Sequence, residues 1–229
     1  MIKGFSLLEL VLVLSLGLGI MAMVVANVAQ TARHAKKATG SQERLEGIFH
    51  TVDCIKSDLS KCGMRLQEAA KTCGLVPFIH ASDGFALNYG LASEALLAGA
   101  LAGDSFIAVA GNDFFKKNKP LLVYDPDSGL MELNEIRDAQ GDSVTLRQRL
   151  KNNYRANSQA VACKRVEYKY FPRQRALKRK VDGGTFQPLL DEVTDFFVSF
   201  FAESKSVLYR LEINRREQVR GYIFLLNLE

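Results

Sequence analysis

A chain of 229 residues, 48% hydrophobic and 24% charged, is too apolar to be a disordered segment and has room for one ordinary globular domain plus a short extra element. No internal repeat or low-complexity tract interrupts it. Its formal charge of +5 raises the question of anionic partners at any basic cluster, but says nothing about fold.

The chain opens Met1-Ile2-Lys3-Gly4-Phe5-Ser6-Leu7-Leu8-Glu9-Leu10 and stays apolar to Ala26. From Phe5 to Ala26 there are 22 residues with Glu9 as the single charge, and no further charge stands before Arg33. That length crosses a hydrocarbon core of about 30 Å as a helix. A lone carboxylate in such a segment is costly and needs a partner or a role. Ser6-Leu7-Leu8-Glu9 fits an S-x-x-E capping box, and an acid in the first turn suits the helix dipole. Capping alone leaves the charge poorly solvated and does not use Lys3-Gly4-Phe5. Cleavage between Gly4 and Phe5 would instead create an α-amino cation within reach of Glu9, in the same chain or a neighbouring one.

In these residues the chain resembles the type IV prepilins and pseudopilins: a short basic leader ending in Gly4, then Phe5, then an apolar helix whose fifth mature residue is Glu9. The resemblance implies removal of residues 1–4 by a prepilin peptidase, N-methylation of Phe5, and packing of the helix, residues 5–30, into a filament core through Glu9. It implies the bacterial inner membrane, crossed once, with the N-terminus cytoplasmic and residues 31–229 a periplasmic pilin-like domain that reaches the filament tip after assembly. A conventional secretory signal, with Met1-Ile2-Lys3 as n-region and cleavage after Val24-Val25-Ala26, is the rival. It has no use for Glu9, and its apolar run should be shorter, about 7–15 residues. The positive-inside count opposes the exported domain, because Arg33, Lys36, Lys37 and Arg44 follow the span and only Lys3 precedes it. We side with export, since the leader must face a peptidase on the cytoplasmic side.

After the span the helix continues. Leu45, Ile48, Phe49, Val52, Ile55, Leu59 and Cys62 recur at three- and four-residue spacing as one apolar stripe, and Gly63 is a C-terminal stop. An unbroken helix from Ser6 to Cys62 would run about 85 Å, with Gly17 and Gly19 weakening it and Gly40 marking a bend. Four cysteines, Cys54, Cys62, Cys73 and Cys163, show no zinc spacing, and their even number suits an oxidising compartment. Cys54 and Cys62 on one helix lie about 12 Å apart, out of disulfide reach. Two complete pairings remain, Cys54–Cys73 with Cys62–Cys163 or Cys62–Cys73 with Cys54–Cys163, beside four free thiols.

Met64–Thr72 reads as a short helix ended by Cys73-Gly74 and Pro77, and Leu91–Ala102 as helix or packed loop. From Asp104 the period becomes two. Strands are predicted over 105–110, 121–124, 130–137, 144–150, 161–171, 177–181, 193–202, 207–215 and 219–228, with turns such as Asp125-Pro126-Asp127-Ser128-Gly129 and Asp182-Gly183-Gly184. A long helix followed by hairpins predicts an α+β fold with an antiparallel sheet across the helix stripe, which is also the pilin-like architecture.

Asp58-Leu59-Ser60-Lys61-Cys62-Gly63, Val166-Glu167-Tyr168-Lys169-Tyr170 with Leu177-Lys178-Arg179, and Gln187-Pro188-Leu189-Leu190-Asp191 with Val193 resemble the J-type minor pseudopilins of type II secretion and the W-type minor pilins. His34, His50 and His80 lack companion acids, and no nucleophile elbow or phosphate loop is present, so no enzyme activity and no cofactor is expected. Asp125, Asp127 and Glu132 suggest a calcium loop less than a hairpin turn, so no metal is expected. Lys164, Arg165, Lys169, Arg173, Arg175, Lys178, Arg179 and Lys180, interleaved with Tyr168, Tyr170 and Phe171, form a basic segment. It suits a solvated face, an acidic partner subunit or, less well, nucleic acid. The expected role is a minor pilin or pseudopilin that initiates filament assembly with other minor and major subunits. A DNA-binding competence pilin, or an anchored periplasmic domain outside any filament, are the alternatives.

Overall fold

The computed structural model describes residues 7–111, 113–215 and 217–228, with side chains from Ser15 onward. It divides into two units, Met1–His50 and Thr51–Glu229. Helix α1 spans Leu7–Lys61, 55 residues without a break, and Gly17, Gly19 and Gly40 all lie within it. In the first unit its side chains are almost all exposed, and Leu45 and Phe49, expected on the buried stripe, are exposed as well.

The second unit begins with the last turns of α1, where Thr51, Val52, Ile55, Asp58, Leu59 and Cys62 turn inward. Gly63 ends the helix with φ +75, a conformation other residues enter at a cost, and a Cβ there would stand 2.6 Å from the Asn227 carbonyl. A short helix α2, Gln67–Cys73, follows and is closed by Gly74.

Twelve strands come next: β1 Phe78–Ala81, β2 Gly84–Ala95, β3 Phe106–Ala108, β4 Pro120–Asp125, β5 Leu130–Gln140, β6 Ser143–Leu146, β7 Gln159–Phe171, β8 Ala176–Val181, β9 Gln187–Leu190, β10 Val193–Phe201, β11 Ser206–Ile213 and β12 Glu217–Phe224. Nine of them form one sheet in the order β1-β2-β7-β4-β5-β6-β3, with β8 on β7 and β9 on β8; β10-β11-β12 form a second sheet. Every strand pair is antiparallel. The fold is α+β, with two sheets where one was expected. Leu91–Ala102 is neither helix nor plain loop: its first half completes β2, and Leu96 and Ala100 bridge to Val109 and Tyr154.

Strand β7 is the trunk of the larger sheet. One edge pairs with β2; the other pairs with β4 through residues 159–162 and with β8 through residues 166–171. The run Leu121-Leu122-Val123-Tyr124 on β4 is buried on both faces, and so does not alternate. Leu121 and Val123 join Ala160, Ala162, Ile107, Ile136 and Val144 in one core. Leu122 and Tyr124 join Val161, Cys163, Leu66 and Ala69 in another, under α2. The two sheets meet through aromatic rings, Phe78 with Phe200 at 5.2 Å and Phe85 with Phe196 at 6.3 Å.

Candidate functional site

Gly4 and Phe5, the expected cleavage and methylation positions, lie outside the described residues. Glu9 stands in the first turn of α1, which begins at Leu7, where the helix dipole favours an acid; its side chain and Ser6, the other half of the expected capping box, are outside the described residues. Beyond it, Leu16, Leu18, Ile20, Met21, Met23, Val24, Val25 and Val28 are between 53% and 71% exposed, over an arc of about 220° that the equally exposed Ser15, Gly19, Ala22 and Ala26 complete. Leaving such a side chain in water rather than burying it costs about 1.5–3 kcal/mol, so eight of them forfeit an amount comparable to the whole stability of a domain. A helix apolar on every side is a membrane span or the core of a larger assembly. This is one helix long and apolar enough to cross a membrane, and none of its apolar window is covered by the chain itself.

At the other end of α1, Asp58 is 4% exposed and is the single charged residue among the inward-turned Thr51, Val52, Ile55, Leu59 and Cys62. Tyr168 of β7 donates its hydroxyl to the Asp58 carboxylate at 2.5 Å, and Arg179 of β8 donates Nε to the same oxygen at 2.8 Å. Tyr168 and Arg179 are register partners, so the two strands present both donors on one face. Burial pushes the Tyr168 phenol above its ordinary pKa, and the Asp58 charge adds to that. For Arg179, burial acts to lower the pKa, but the bonds to Asp58 and Tyr168 outweigh it and the pKa is raised. Phe85 stacks on Tyr168 at 4.8 Å. With the Thr51 hydroxyl donating to the Leu189 carbonyl and the Asn227 amide donating to the Ser60 carbonyl, this latch fixes the helix end to the sheets. Sequence reading noted Asp58, Tyr168 and Arg179 separately and missed their convergence. The available signal was an acid placed among Ile55, Leu59 and Cys62 on a buried stripe.

The basic segment is the β7–β8 hairpin, and much of its charge is used internally. Arg179 belongs to the latch. Arg165 and Lys180 both pair with Glu167, at 2.8 and 3.2 Å, and Lys169 pairs with Asp83 at 3.0 Å. Lys178 lies 5.0 Å from the centre of the Phe171 ring, and Arg175 donates to Asn214 at 2.8 Å. Arg173 is exposed in the hairpin turn, and Lys164 is half-buried on β7. The eight cations thus do not form one open surface: Glu167, Asp83 and Asp58 stand among them.

All four cysteines stand as free thiols in the structure, the third of the alternatives, with neither pairing formed. Burial pushes the Cys62 and Cys163 thiols up to about 12. Cys73 packs under β4 and β5, its Sγ 3.8 Å from the Leu130 carbonyl. Cys73 is partly buried against the cluster that holds Cys163. The Asp125 carboxylate accepts from Ser128 Oγ at 2.8 Å and from the Asp127 amide at 3.1 Å, which holds its pKa below the usual carboxylate range, the Ser128 bond first among the causes. Glu132 instead accepts from the Lys151 amide at 2.9 Å. Asp125, Asp127 and Glu132 therefore build a turn and its neighbour rather than one cation loop. His80 Nε2 lies 3.0 Å from the Val198 carbonyl, tying β1 to β10.

No family model matches the chain, and no curated protein matches it. Among solved structures, the Gp54 tailspike of Acinetobacter baumannii bacteriophage AP22, in complex with A. baumannii capsular saccharide, aligns with 34% of this chain and 15% of that chain, at 15% identity and a TM-score of 0.29. A likeness at that score carries no argument about fold or function.

Proposed function

We propose that the chain is a minor pilin or pseudopilin, a non-catalytic subunit that initiates assembly of a type IV pilus or of a type II secretion pseudopilus. The observation that carries the reading is the apolar helix that begins at Leu7 and lies uncovered from Ser15 to Val28, with Glu9 in its first turn and Gly4-Phe5 just before it in sequence. Prepilin peptidase cuts between Gly4 and Phe5, and the new amino group is methylated. The helix rests in the inner membrane as a single span, with the folded domain in the periplasm. On assembly it leaves the lipid for a bundle of like helices, Glu9 pairing with the α-amino group of an adjacent subunit. That exchange replaces one apolar surrounding by another, so little hydrophobic free energy opposes it, and the ion pair supplies direction.

In this scheme the latch at Asp58 has a mechanical role, because pulling on α1 then moves the sheet domain with it. The basic hairpin meets acidic faces of neighbouring subunits rather than nucleic acid, since Glu167 and Asp83 interrupt its charge. The test is incorporation. A Glu9→Ala chain that is still cleaved should be lost from sheared filaments while remaining in the membrane fraction. Normal incorporation of that variant would remove the role assigned to the carboxylate.

A further inference from the structure

We propose that Arg33, Lys36 and Lys37 form a docking site for the phosphate headgroups of anionic lipid, which sets the depth at which α1 sits in the bilayer. The proposal rests on the membrane-spanning reading of α1 and extends it to the lipid class at the exit of the span.

Placement is the first argument. A hydrocarbon core of about 30 Å takes up about 20 helical residues, and each headgroup layer adds about 5–7 Å. Val28 is the last large apolar side chain of the uncovered run. Arg33 stands five residues further on, about 7.5 Å along the axis at 1.5 Å per residue. Its guanidinium therefore falls at the outer rim of the headgroups, with Lys36 and Lys37 one turn further out and their long stems able to reach back.

Phase is the second. At 3.6 residues per turn, Arg33, Lys36 and Lys37 point within an arc of about 100° and so form one face rather than a ring. All three are exposed. The hydroxyls among and beside them are turned back onto the helix, Thr31 onto the Asn27 carbonyl at 2.9 Å, Thr39 onto Ala35 at 3.0 Å and Ser41 onto Lys37 at 3.0 Å. That leaves the cations as the dominant outward polar groups of this stretch.

Charge is the third. After Glu9 the sequence has no acid before Glu43, so no carboxylate on the helix neutralises the three cations. This contrasts with the β7–β8 hairpin, where acids stand between the bases. The imbalance that opposed the exported topology is then accounted for by lipid phosphates at the far leaflet.

The test is native mass spectrometry of the full chain in non-ionic detergent, offered equal amounts of phosphatidylglycerol and phosphatidylcholine with the same acyl chains. A cation at the surface contributes about fivefold in partition toward anionic lipid, and three give a preference on the order of a hundredfold at low salt. We expect a preference of at least about tenfold in the full chain, collapsing in about 1 M salt, where the screening length is about 3 Å. R33Q/K36Q/K37Q should bring the preference close to unity, and K116Q/K117Q, at exposed positions of the sheet domain, should leave it unchanged. Equal retention of the two lipids by the unaltered chain, or a preference that survives in the triple variant, overturns the proposal while leaving the span intact. Release of the chain from membranes by alkaline carbonate would instead overturn the spanning reading beneath it.

Discussion

Replacing Asp58 by Asn tests whether the helix end is held by charge or only by packing. The substitution keeps the shape and one acceptor, so Tyr168 still finds a partner, but Arg179 loses its counter-ion. Removing one member of a buried ion pair costs about 3–5 kcal/mol. The Arg179 side chain retains 27% exposure against 5% for Asp58, so water recovers part of that loss, and we expect a destabilisation of about 2–4 kcal/mol. For a domain of this size a urea m-value of about 2 kcal/mol/M turns that into a midpoint lowered by about 1–2 M. The assay is urea unfolding of the full chain in micelles, followed by far-ultraviolet circular dichroism. Adding Arg179→Met should recover at least half of the loss, because an apolar side chain replaces the orphaned cation. A shift of Asp58→Asn below about 0.3 M, or a double variant whose losses simply add, would refute the electrostatic account of the latch.

Two further outcomes follow from the packing. With pKa values pushed up to about 12 by burial, Cys62 and Cys163 should resist iodoacetamide at pH 8 in the native chain, while the half-buried Cys73 reacts and Cys54, whose pKa burial also raises, reacts more slowly; all four should react in denaturant, and a mass lower by the hydrogens of a disulfide would contradict the free-thiol state. Gly221 faces Tyr209 across the β11–β12 pair, and a Cβ at that position would run into the phenol ring. Gly221→Ala should therefore lower the urea midpoint by about 0.5–1.5 M, and a neutral result would show that Tyr209 is free to move.

The strands that sequence reading placed are those with alternation or tight turns, such as β5, β7, β8 and β11. Strand β2 escaped because Gly84-Phe85-Ala86-Leu87-Asn88-Tyr89-Gly90 is buried on both faces, which erases the period of two, and its glycine and alanine content is poor in strand formers. Strand β9 has four residues and contains Pro188, which reads as a breaker. The helix stripe was drawn too wide, since Leu45 and Phe49 satisfy the spacing yet remain exposed. Long-range convergence was the harder part. Asp58 and Arg179 are 121 residues apart, and nothing local to either names the other. The basic hairpin was legible as composition, but its neutralisation by Glu167 and Asp83 depended on the register of β2, β7 and β8.

Glu9 meets an α-amino cation at Phe5 only once processing has created it. The most direct measurement is N-terminal sequencing and intact mass of the chain recovered from the membrane fraction of cells that contain a prepilin peptidase. The account predicts that the first residue is Phe5 carrying one added methyl group, with Met1-Ile2-Lys3-Gly4 removed. A mature chain that begins at Met1 or at Asn27 would contradict it.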